Sequence, residues 1–389
     1  MSPSHSRHST PTLSDDDVFS VFLRIPPDDP ARLVRASLAC KAWRRIVTGP
    51  EFCRLYREFH GAPPMLGFVV GFWTRNTDGV SRFITATSFR PSSGTDSYPS
   101  NWKAVDSRHG RILVRPISGG YIVWDPITNG RWGVPFPSMD RQSSTAAVLC
   151  AKERCDHLGC HGHPFLVAMV ASWQGTTSAC VYSSESGLWS DTITLKHPDY
   201  INNTGRSILV GNTLYFPFDD SCRVLQYKLG EQKLSVIDVP KVNWKERLVF
   251  ISAEDGVVVF AGLRGTRLSL WSAEPAGPGG ALAWVERRVI ELETLLPPRA
   301  FEPRPHPVGA RYENEPNVSG FAEGVVFLST MAGLFTVELS SGQTKKVAEV
   351  KMAKNVTPWS SFYTQEEFWS CMSNGQVYVE KCGAFWGMI

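Results

Sequence analysis

Residues 13–52 read LSDDDVFSVFLRIPPDDPARLVRASLACKAWRRIVTGPEF, and this segment decides how the chain is organised. Ser14 is a suitable N-cap, and Asp17 stands three positions later, where it can complete a capping box. A helix is therefore expected immediately after Ser14. Apolar residues at helical spacing follow, and Pro26-Pro27 ends the helix because the residue before a proline disfavours the α region.

A second helical pattern begins at Asp29-Pro30, since aspartate caps a helix and proline fits its first turn. It runs to Gly49-Pro50, so the segment predicts two or three short helices. Residues 14–30 contain five aspartates and one arginine, whereas residues 31–57 contain seven lysines or arginines and one glutamate. Apolar side chains among basic ones are typical of a protein interface. The alternative is a helical cap folded onto the chain's own domain.

The stretch SLACKAWRRIVTGPEF at residues 37–52 resembles an F-box, with a CKAWRRI core followed by Pro-x-Phe. The opening departs from the pattern, because Leu13-Ser14 replaces the usual Leu-Pro and Ile25 stands where leucine is commoner. The resemblance implies a small all-α module over residues 13–60 that docks onto a Skp-family adaptor and, through it, onto cullin and RING subunits. The adaptor-binding residues that it implies are Leu13, Val18, Ile25, Pro26, Leu38, Cys40, Lys41, Trp43 and Arg44.

The composition is that of an ordinary globular protein, with 389 residues, 42% hydrophobic and 20% charged. Residues 1–12 lack an apolar core and are expected to be a disordered tail rather than a signal peptide. The net charge of +3 argues against nucleic acid or an anionic membrane as partner. No run approaches eighteen apolar residues, so no membrane span is expected. Nine scattered cysteines predict free thiols in a reducing compartment, hence the cytoplasm and/or nucleus.

Beyond Pro63-Pro64 the pattern changes to strand period and repeats. Five copies of a strand, turn and strand can be aligned, and their second strands place one large apolar residue in register at Trp124, Tyr182, Tyr227, Trp271 and Val337. The spacings of 58, 45, 44 and 66 residues are close to one four-stranded propeller blade with loop insertions. The repeats predict an all-β propeller over residues 65–389.

Further strands at both ends raise the expected number of blades to about six. Residues 65–89 look like a blade before the first clear copy, and SFYTQEEFW with GQVYVEKC near the end would supply the strands that close the ring. Closure removes exposed sheet edges that would aggregate. A β-sandwich is the alternative architecture, because it also contains short alternating strands.

The stretch WDPITNGRWGVPFP at residues 124–137 resembles the associated domain of plant F-box proteins. The matching positions are Trp124-Asp125-Pro126, Thr128, Trp132 and Pro135-Phe136-Pro137. Asp125 stands in place of asparagine. Together, the two resemblances imply a plant, grass-type F-box protein whose second domain is a propeller-like F-box-associated domain.

The stretch CDHLGCHGHP concentrates the residue types that bind zinc, with Cys155, His157, Cys160, His161 and His163. Its spacing matches no standard paired-ligand signature, and no second ligand pair is evident. We therefore predict no metal and no cofactor, with these five residues as the candidate cluster. The favoured interpretation is a polar loop between two strands, similar to a loop in grass F-box families.

Signatures of catalysis are missing from the sequence: it has no Gly-x-Ser-x-Gly, P-loop, His-Glu-x-x-His or strand-linked GxGxxG. The acidic pairs Asp219-Asp220, Glu254-Asp255 and Glu366-Glu367 are adjacent residues, which point to opposite faces of a strand. The expected function is therefore a non-catalytic one. The chain would be the substrate-recognition subunit of a Skp-cullin-F-box ubiquitin ligase, with an unknown target protein on the propeller.

Two other functions stay open. The chain could be an F-box interaction protein without a ligase role, which the altered opening at Leu13-Ser14 would fit. It could also be a propeller enzyme acting on a small metabolite, since propellers support many functions.

Overall fold

The chain forms a small helical module followed by a ring of β-sheets in a computed structural model. The residues that the structure describes are 13–27, 30–61, 65–72, 80–87, 99, 101–152, 155, 157, 160, 164–203, 205–219, 221–239, 247–251, 259–275, 282–302, 316–322, 324–349 and 353–360.

Four helices make up the module: α1 (Asp15–Leu23), α2 (Pro30–Ala39), α3 (Lys41–Val47) and α4 (Pro50–His60). The predicted start of α1 is confirmed, because Ser14 is its N-cap. The second helical stripe is broken at Cys40, whose extended backbone (φ −158°) separates α2 from α3. Gly49-Pro50 ends the stripe as predicted, but the proline also begins α4, since a first-turn proline loses no helical hydrogen bond. Three helices therefore lie before Gly49-Pro50, in agreement with the predicted two or three, and α4 is an addition that was not predicted.

The module has its own apolar core. Its buried members come from three helices: Val18, Phe22, Val47, Phe52 and Tyr56. Aromatic rings contact one another in this core. Phe19 packs edge to face on Phe52 with ring centroids 5.2 Å apart, and Phe52 stacks on Tyr56 with centroids 5.5 Å apart. The three stripes of apolar residues thus face one another and bury a common surface.

Six antiparallel sheets follow. The first joins β1 (Met65–Phe72) to β2 (Val80–Thr85) and to the last described strand, β24 (Ala353–Ser360). The second contains β3 (Trp102–Arg108), β4 (Arg111–Pro116), β5 (Tyr121–Trp124) and β6 (Arg131–Val134). The third contains β7 (Ser143–Cys150), β8 (Phe165–Trp173), β9 (Thr176–Ser183), β10 (Leu188–Trp189) and β11 (Ile193–Lys196).

The other three sheets have four strands each. The fourth contains β12 (Ile208–Val210), β13 (Thr213–Pro217), β14 (Arg223–Lys228) and β15 (Lys233–Asp238). The fifth contains β16 (Arg247–Ile251), β17 (Val259–Arg264), β18 (Arg267–Pro275) and β19 (Leu282–Glu291). The sixth contains β20 (Asn317–Ala322), β21 (Val325–Thr330), β22 (Gly333–Glu338) and β23 (Thr344–Ala348). Two short 3-10 helices, Leu292–Thr294 and Pro298–Phe301, lie between the last two sheets in the chain.

Each sheet packs on the next through its own apolar core, and the sixth packs on the first. This last core joins Phe68 and Val70 of β1 and Val356 of β24 to Phe327 and Leu334 of the sixth sheet. The sheets therefore form a closed ring, the arrangement of a β-propeller. The alternative of a β-sandwich is wrong, because a sandwich has two packed sheets instead of a cycle.

The aligned apolar residues of the repeats fall at equivalent places in the ring. Trp124, Tyr182, Tyr227, Trp271 and Val337 each lie on the third strand of a sheet. Four of the five are buried, with Trp271 half-buried. The sequence repeats placed these residues on the second strand of each copy, because each copy begins at the second strand of a blade.

Five sheets are complete blades with at least four strands, so the predicted number of about six is one too high for complete blades. The sheet of β1, β2 and β24 has three strands in the described part of the chain. Closure comes from β24, which pairs antiparallel with β1 along its length. The segments predicted to close the ring, SFYTQEEFW and GQVYVEKC, lie outside the described residues. Within those residues, no helix has both the length and the apolar character needed to cross a membrane.

Candidate functional site

The first turn of α1 is fixed by a reciprocal pair of hydrogen bonds. The amide of Asp17 donates to Ser14 Oγ at 3.2 Å, while the amide and hydroxyl of Ser14 donate to Asp17 Oδ2 at 3.2 and 2.6 Å. These hydrogen bonds from Ser14 lower the pKa of the Asp17 carboxyl below its usual value. The capping box predicted from the sequence is confirmed, so serine replaces the usual proline without loss of the helix start.

The residues implied as adaptor contacts fall into three groups by exposure. Five are exposed on the module: Leu13, Pro26, Leu38, Cys40 and Lys41. Ile25, Trp43 and Arg44 are half-buried. Val18 is only 4% exposed and lies in the core of the module, so it supports the helices and offers no surface to a partner.

Two exposed apolar side chains of the module were not singled out from the sequence. Val21 on α1 is 55% exposed and Phe59 on α4 is 57% exposed. Leu13 and Leu38 are similarly open, at 65% and 53%. Val21 lies three residues after the buried Val18, at the border of the buried face of α1. The helical period of the sequence could have indicated this position.

A hydrogen bond at the start of α3 joins Cys40 to Trp43. Cys40 is the N-cap of α3, and its Sγ accepts a hydrogen bond from the Trp43 amide at 3.4 Å. The Trp43 ring packs edge to face against Phe22 of α1, with ring centroids 5.2 Å apart. Trp43 thus serves the core as well as the surface.

The end of α1 is tied to α4 by two hydrogen bonds. Tyr56 donates from its hydroxyl to the Ile25 carbonyl at 2.7 Å, and the His60 ring nitrogen Nε2 lies 2.9 Å from the Leu23 carbonyl oxygen. Leu23 is the last residue of α1, where the helix leaves carbonyls unsatisfied, and Ile25 follows the C-cap Arg24. The position of Ile25 and Pro26 therefore depends on α4, a helix that the sequence analysis did not describe.

The WDPITNGRW motif forms the turn between β5 and β6. Asp125 Oδ1 accepts hydrogen bonds from the amides of Ile127 at 2.9 Å and Thr128 at 3.4 Å. Asn129 adopts a left-handed backbone (φ 58°), and its Oδ1 accepts from Trp124 Nε1 at 3.1 Å. Aspartate makes this turn as asparagine would, so the substitution at Asp125 leaves the blade intact.

A buried ionic network occupies the centre of the ring, where the first strands of several blades meet. Asp106 on β3 is fully buried, forms an ion pair with Arg108 and lies 3.8 Å from Arg206 Nη2. Its Oδ2 also accepts a hydrogen bond from the Val148 amide at 2.9 Å. Arg206 donates to the Phe321 carbonyl at 2.9 Å, and burial lowers its pKa to about 10.

This network joins four blades, because its members lie on or beside β3, β7, β12 and β20. The one buried carboxylate that it contains is engaged by arginines and a backbone amide. Such an arrangement holds the blades in place, and the sequence did not signal it, since the partners are about 100 residues apart.

The acidic pairs considered from the sequence are not assembled into a described site. Asp219 is exposed on the segment between β13 and β14. Its neighbour Asp220 and the pairs Glu254-Asp255 and Glu366-Glu367 lie outside the described residues.

Three members of the candidate metal cluster come together, and a further cysteine, Cys150, joins them as the fourth residue. The Sγ atoms of Cys150, Cys155 and Cys160 and one ring nitrogen of His157 lie within 4.8 Å of one another. Burial raises the pKa of the Cys160 thiol and, less strongly, that of Cys150. Cys150 was not predicted as a ligand, because it ends β7, five residues before the dense motif. His161 and His163 lie outside the described residues.

Comparisons with known proteins agree with both parts of the fold. Residues 11–55 match the F-box domain model, and residues 103–361 match the model described as F-box protein AT5G49610-like, beta-propeller. No curated protein is significantly similar to the chain in sequence.

Solved structures with related shapes are distant. The Nidogen/Laminin complex contains a chain that is 10% identical, with a TM-score of 0.45, and the match covers 76% of this chain and all of that one. An oligogalacturonate lyase in complex with manganese is 9% identical, with a TM-score of 0.38 and coverage of 69% and 70%.

The extracellular domain of the putative one component system BT4673 from B. thetaiotaomicron is 15% identical, with a TM-score of 0.32. That match covers 64% of this chain, which spans only 28% of the length of the other. These structural similarities are too weak to bear on function. The match to the propeller model covers well over half of the chain, beside an F-box, and the chain therefore belongs to the family of F-box proteins with an AT5G49610-like β-propeller.

Proposed function

We propose that the chain is the substrate-recognition subunit of a Skp-cullin-F-box ubiquitin ligase. Its helical module binds a Skp-family adaptor, and its propeller binds a target protein. The observation that carries the proposal is the F-box at residues 11–55 fused to a closed propeller in one chain. Such a subunit holds its target near the enzyme that carries ubiquitin. The proximity of the two accelerates the transfer of ubiquitin to the target.

The surface of the module suits this role. Leu13, Leu38 and Val21 expose apolar side chains, whereas Lys41 supplies exposed positive charge. Apolar anchors surrounded by charge are the usual composition of a protein interface. We assign adaptor contact to the exposed members of the predicted set, and a structural role to Val18.

Several features support a receptor without catalysis. Asp106, the buried carboxylate at the centre of the ring, has arginine and amide partners that hold it as a structural ion. F-box proteins are generally non-catalytic. We further propose that the chain acts in the cytoplasm and/or nucleus of a plant of the grass type. The name of its family supports the plant origin alone.

The test is a pull-down of the full chain from plant extract, with cullin and ubiquitin conjugates as readouts. We expect the wild type to capture a Skp adaptor and cullin. Replacing two exposed anchors, Leu13→Asp with Leu38→Asp, should remove both but leave propeller-bound proteins in place. Capture of an adaptor without cullin would instead favour an F-box interaction protein that has no ligase role.

A further inference from the structure

The cluster formed by Cys150, Cys155, His157 and Cys160 has the composition and geometry of a zinc site. Cys155 Sγ and Cys160 Sγ are 3.6 Å apart, and Cys160 Sγ lies 3.5 Å from His157 Nδ1. A tetrahedral zinc ion with usual bond lengths separates two sulfurs by about 3.8 Å and a sulfur from a nitrogen by about 3.6 Å. These two distances match edges of a zinc tetrahedron, and all four ligand atoms lie within 4.8 Å of one another.

We propose that these four residues bind one structural zinc ion. Three thiolates and one imidazole are a set that structural zinc sites use, and four protein ligands leave no open position for a substrate. In the sequence, the lack of a second ligand pair argued against zinc. In the structure, Cys150 provides one additional ligand. The strand β7 delivers Cys150 to the start of the loop that carries the other three ligands.

The charge around the cluster suits a zinc-thiolate centre. Three thiolates, a neutral imidazole and a divalent ion carry a net charge of −1. Arg111 is 1% exposed, and its Nη2 donates to the Cys160 carbonyl at 2.6 Å. Its guanidinium group also lies 5.5 Å from the centre of the Phe165 ring. The buried cation thus stands beside the residue that contributes the most deeply buried thiolate, where it would offset the negative charge.

The site would fasten one blade to the next. The four ligands belong to the β7–β8 connection, whereas Arg111 begins β4 of the preceding blade. His109, in the turn before β4, places its ring 4.0 Å from the His157 ring. Both histidines have left-handed backbones, with φ of 54° and 59°. Zinc would hold the long loop closed against this neighbour, and its binding energy would add to the stability of the fold.

The metal content of the full-length protein tests the proposal. The protein is produced in zinc-containing medium, purified without chelator, desalted and measured by elemental mass spectrometry. We expect about one zinc per chain, and about none in Cys155→Ser or Cys160→Ser. Cys222→Ser is the matched control, because Cys222 is a half-buried cysteine in another blade, and it should keep the zinc.

Two further measurements keep the test decisive if a cysteine variant folds poorly. His157 is exposed, so His157→Ala should fold and still bind zinc more weakly than the wild type. Cobalt exchanged into the wild type should give the visible absorption of a tetrahedral thiolate site, which surface-bound metal does not give.

A wild type without zinc would overturn the proposal, as would zinc that survives in Cys160→Ser. The finding of a Cys155–Cys160 disulfide, seen as a loss of two hydrogens in the intact mass, would also overturn it. Such a bond requires the sulfurs to approach from 3.6 Å to about 2.0 Å.

Discussion

The ring of Trp43 meets that of Phe22 edge to face, with centroids 5.2 Å apart, so that a residue of the recognition motif is also part of the module's core. Aromatic pairs of this geometry stabilise a fold beyond the area that they bury. Loss of adaptor binding in a Trp43 variant would therefore not distinguish a lost contact from a lost fold. Exposed residues are needed to separate the two.

Trp43→Ala is expected to destabilise the helical module by about 2 kcal/mol or more, because it empties space between α1 and α3. Denaturant unfolding followed by circular dichroism measures this. Arg45→Ala changes an exposed residue of the same helix and should have little effect. Equal stability of the two variants would show that Trp43 is not a core residue.

The capping box predicts a dependence on the residue at position 14 and on pH. Ser14→Ala should lower the thermal midpoint of the module, whereas Ser14→Gly should lower it less. The pKa of Asp17 is lowered in the folded state, so its contribution is present above the unfolded value of 3.8 and is lost as the pH falls through the folded value. The difference between wild type and Ser14→Ala should therefore shrink in acid. A difference that grows in acid would contradict the role of the carboxylate.

The centre of the ring should be sensitive to loss of its carboxylate. Asp106→Asn leaves Arg108 and Arg206 without their anion, and breaking a buried pair costs about 3–5 kcal/mol. Glu58→Gln removes an exposed partner of Arg54 and should change stability by less than about 1 kcal/mol. Thermal or denaturant unfolding of the full chain gives both values. Similar effects of the two substitutions would rule out a structural role for the network.

Closure of the ring depends on a close approach of β20 and β24. A Cβ at Gly320 would clash with the Val356 carbonyl oxygen, so Gly320→Ala must push the two strands apart. We expect a loss of about 1–3 kcal/mol and more aggregation. At Gly133 an added Cβ meets no atom of the described structure within 4 Å, which makes Gly133→Ala the control. A harmless Gly320→Ala would mean that β24 does not close the ring in this way.

Local features of the sequence were the ones that could be predicted. Ser14 and Asp17 are three residues apart, and the repeated aromatic position of Trp124 and Tyr227 is visible in each copy separately. The pairing of β24 with β1 was not predicted, because it joins two strands that lie almost a whole propeller apart in the sequence. The partners of Asp106 are similarly distant along the chain. Cys150 was overlooked for a different reason. It belongs to a segment with the pattern of a strand, and the sequence does not show that this strand ends at the cluster.

We expect the exposed residues of the helical module to bind a Skp-family adaptor. The affinity of the full chain for a purified adaptor, measured by isothermal titration calorimetry, tests this binding. Leu38→Asp should weaken binding at least tenfold, or by about 1.4 kcal/mol, without unfolding the protein. Leu188→Asp, which changes a comparably exposed leucine on the propeller, should bind like the wild type. An affinity unchanged by Leu38→Asp, or no binding by the wild type, would show that this surface does not bind the adaptor.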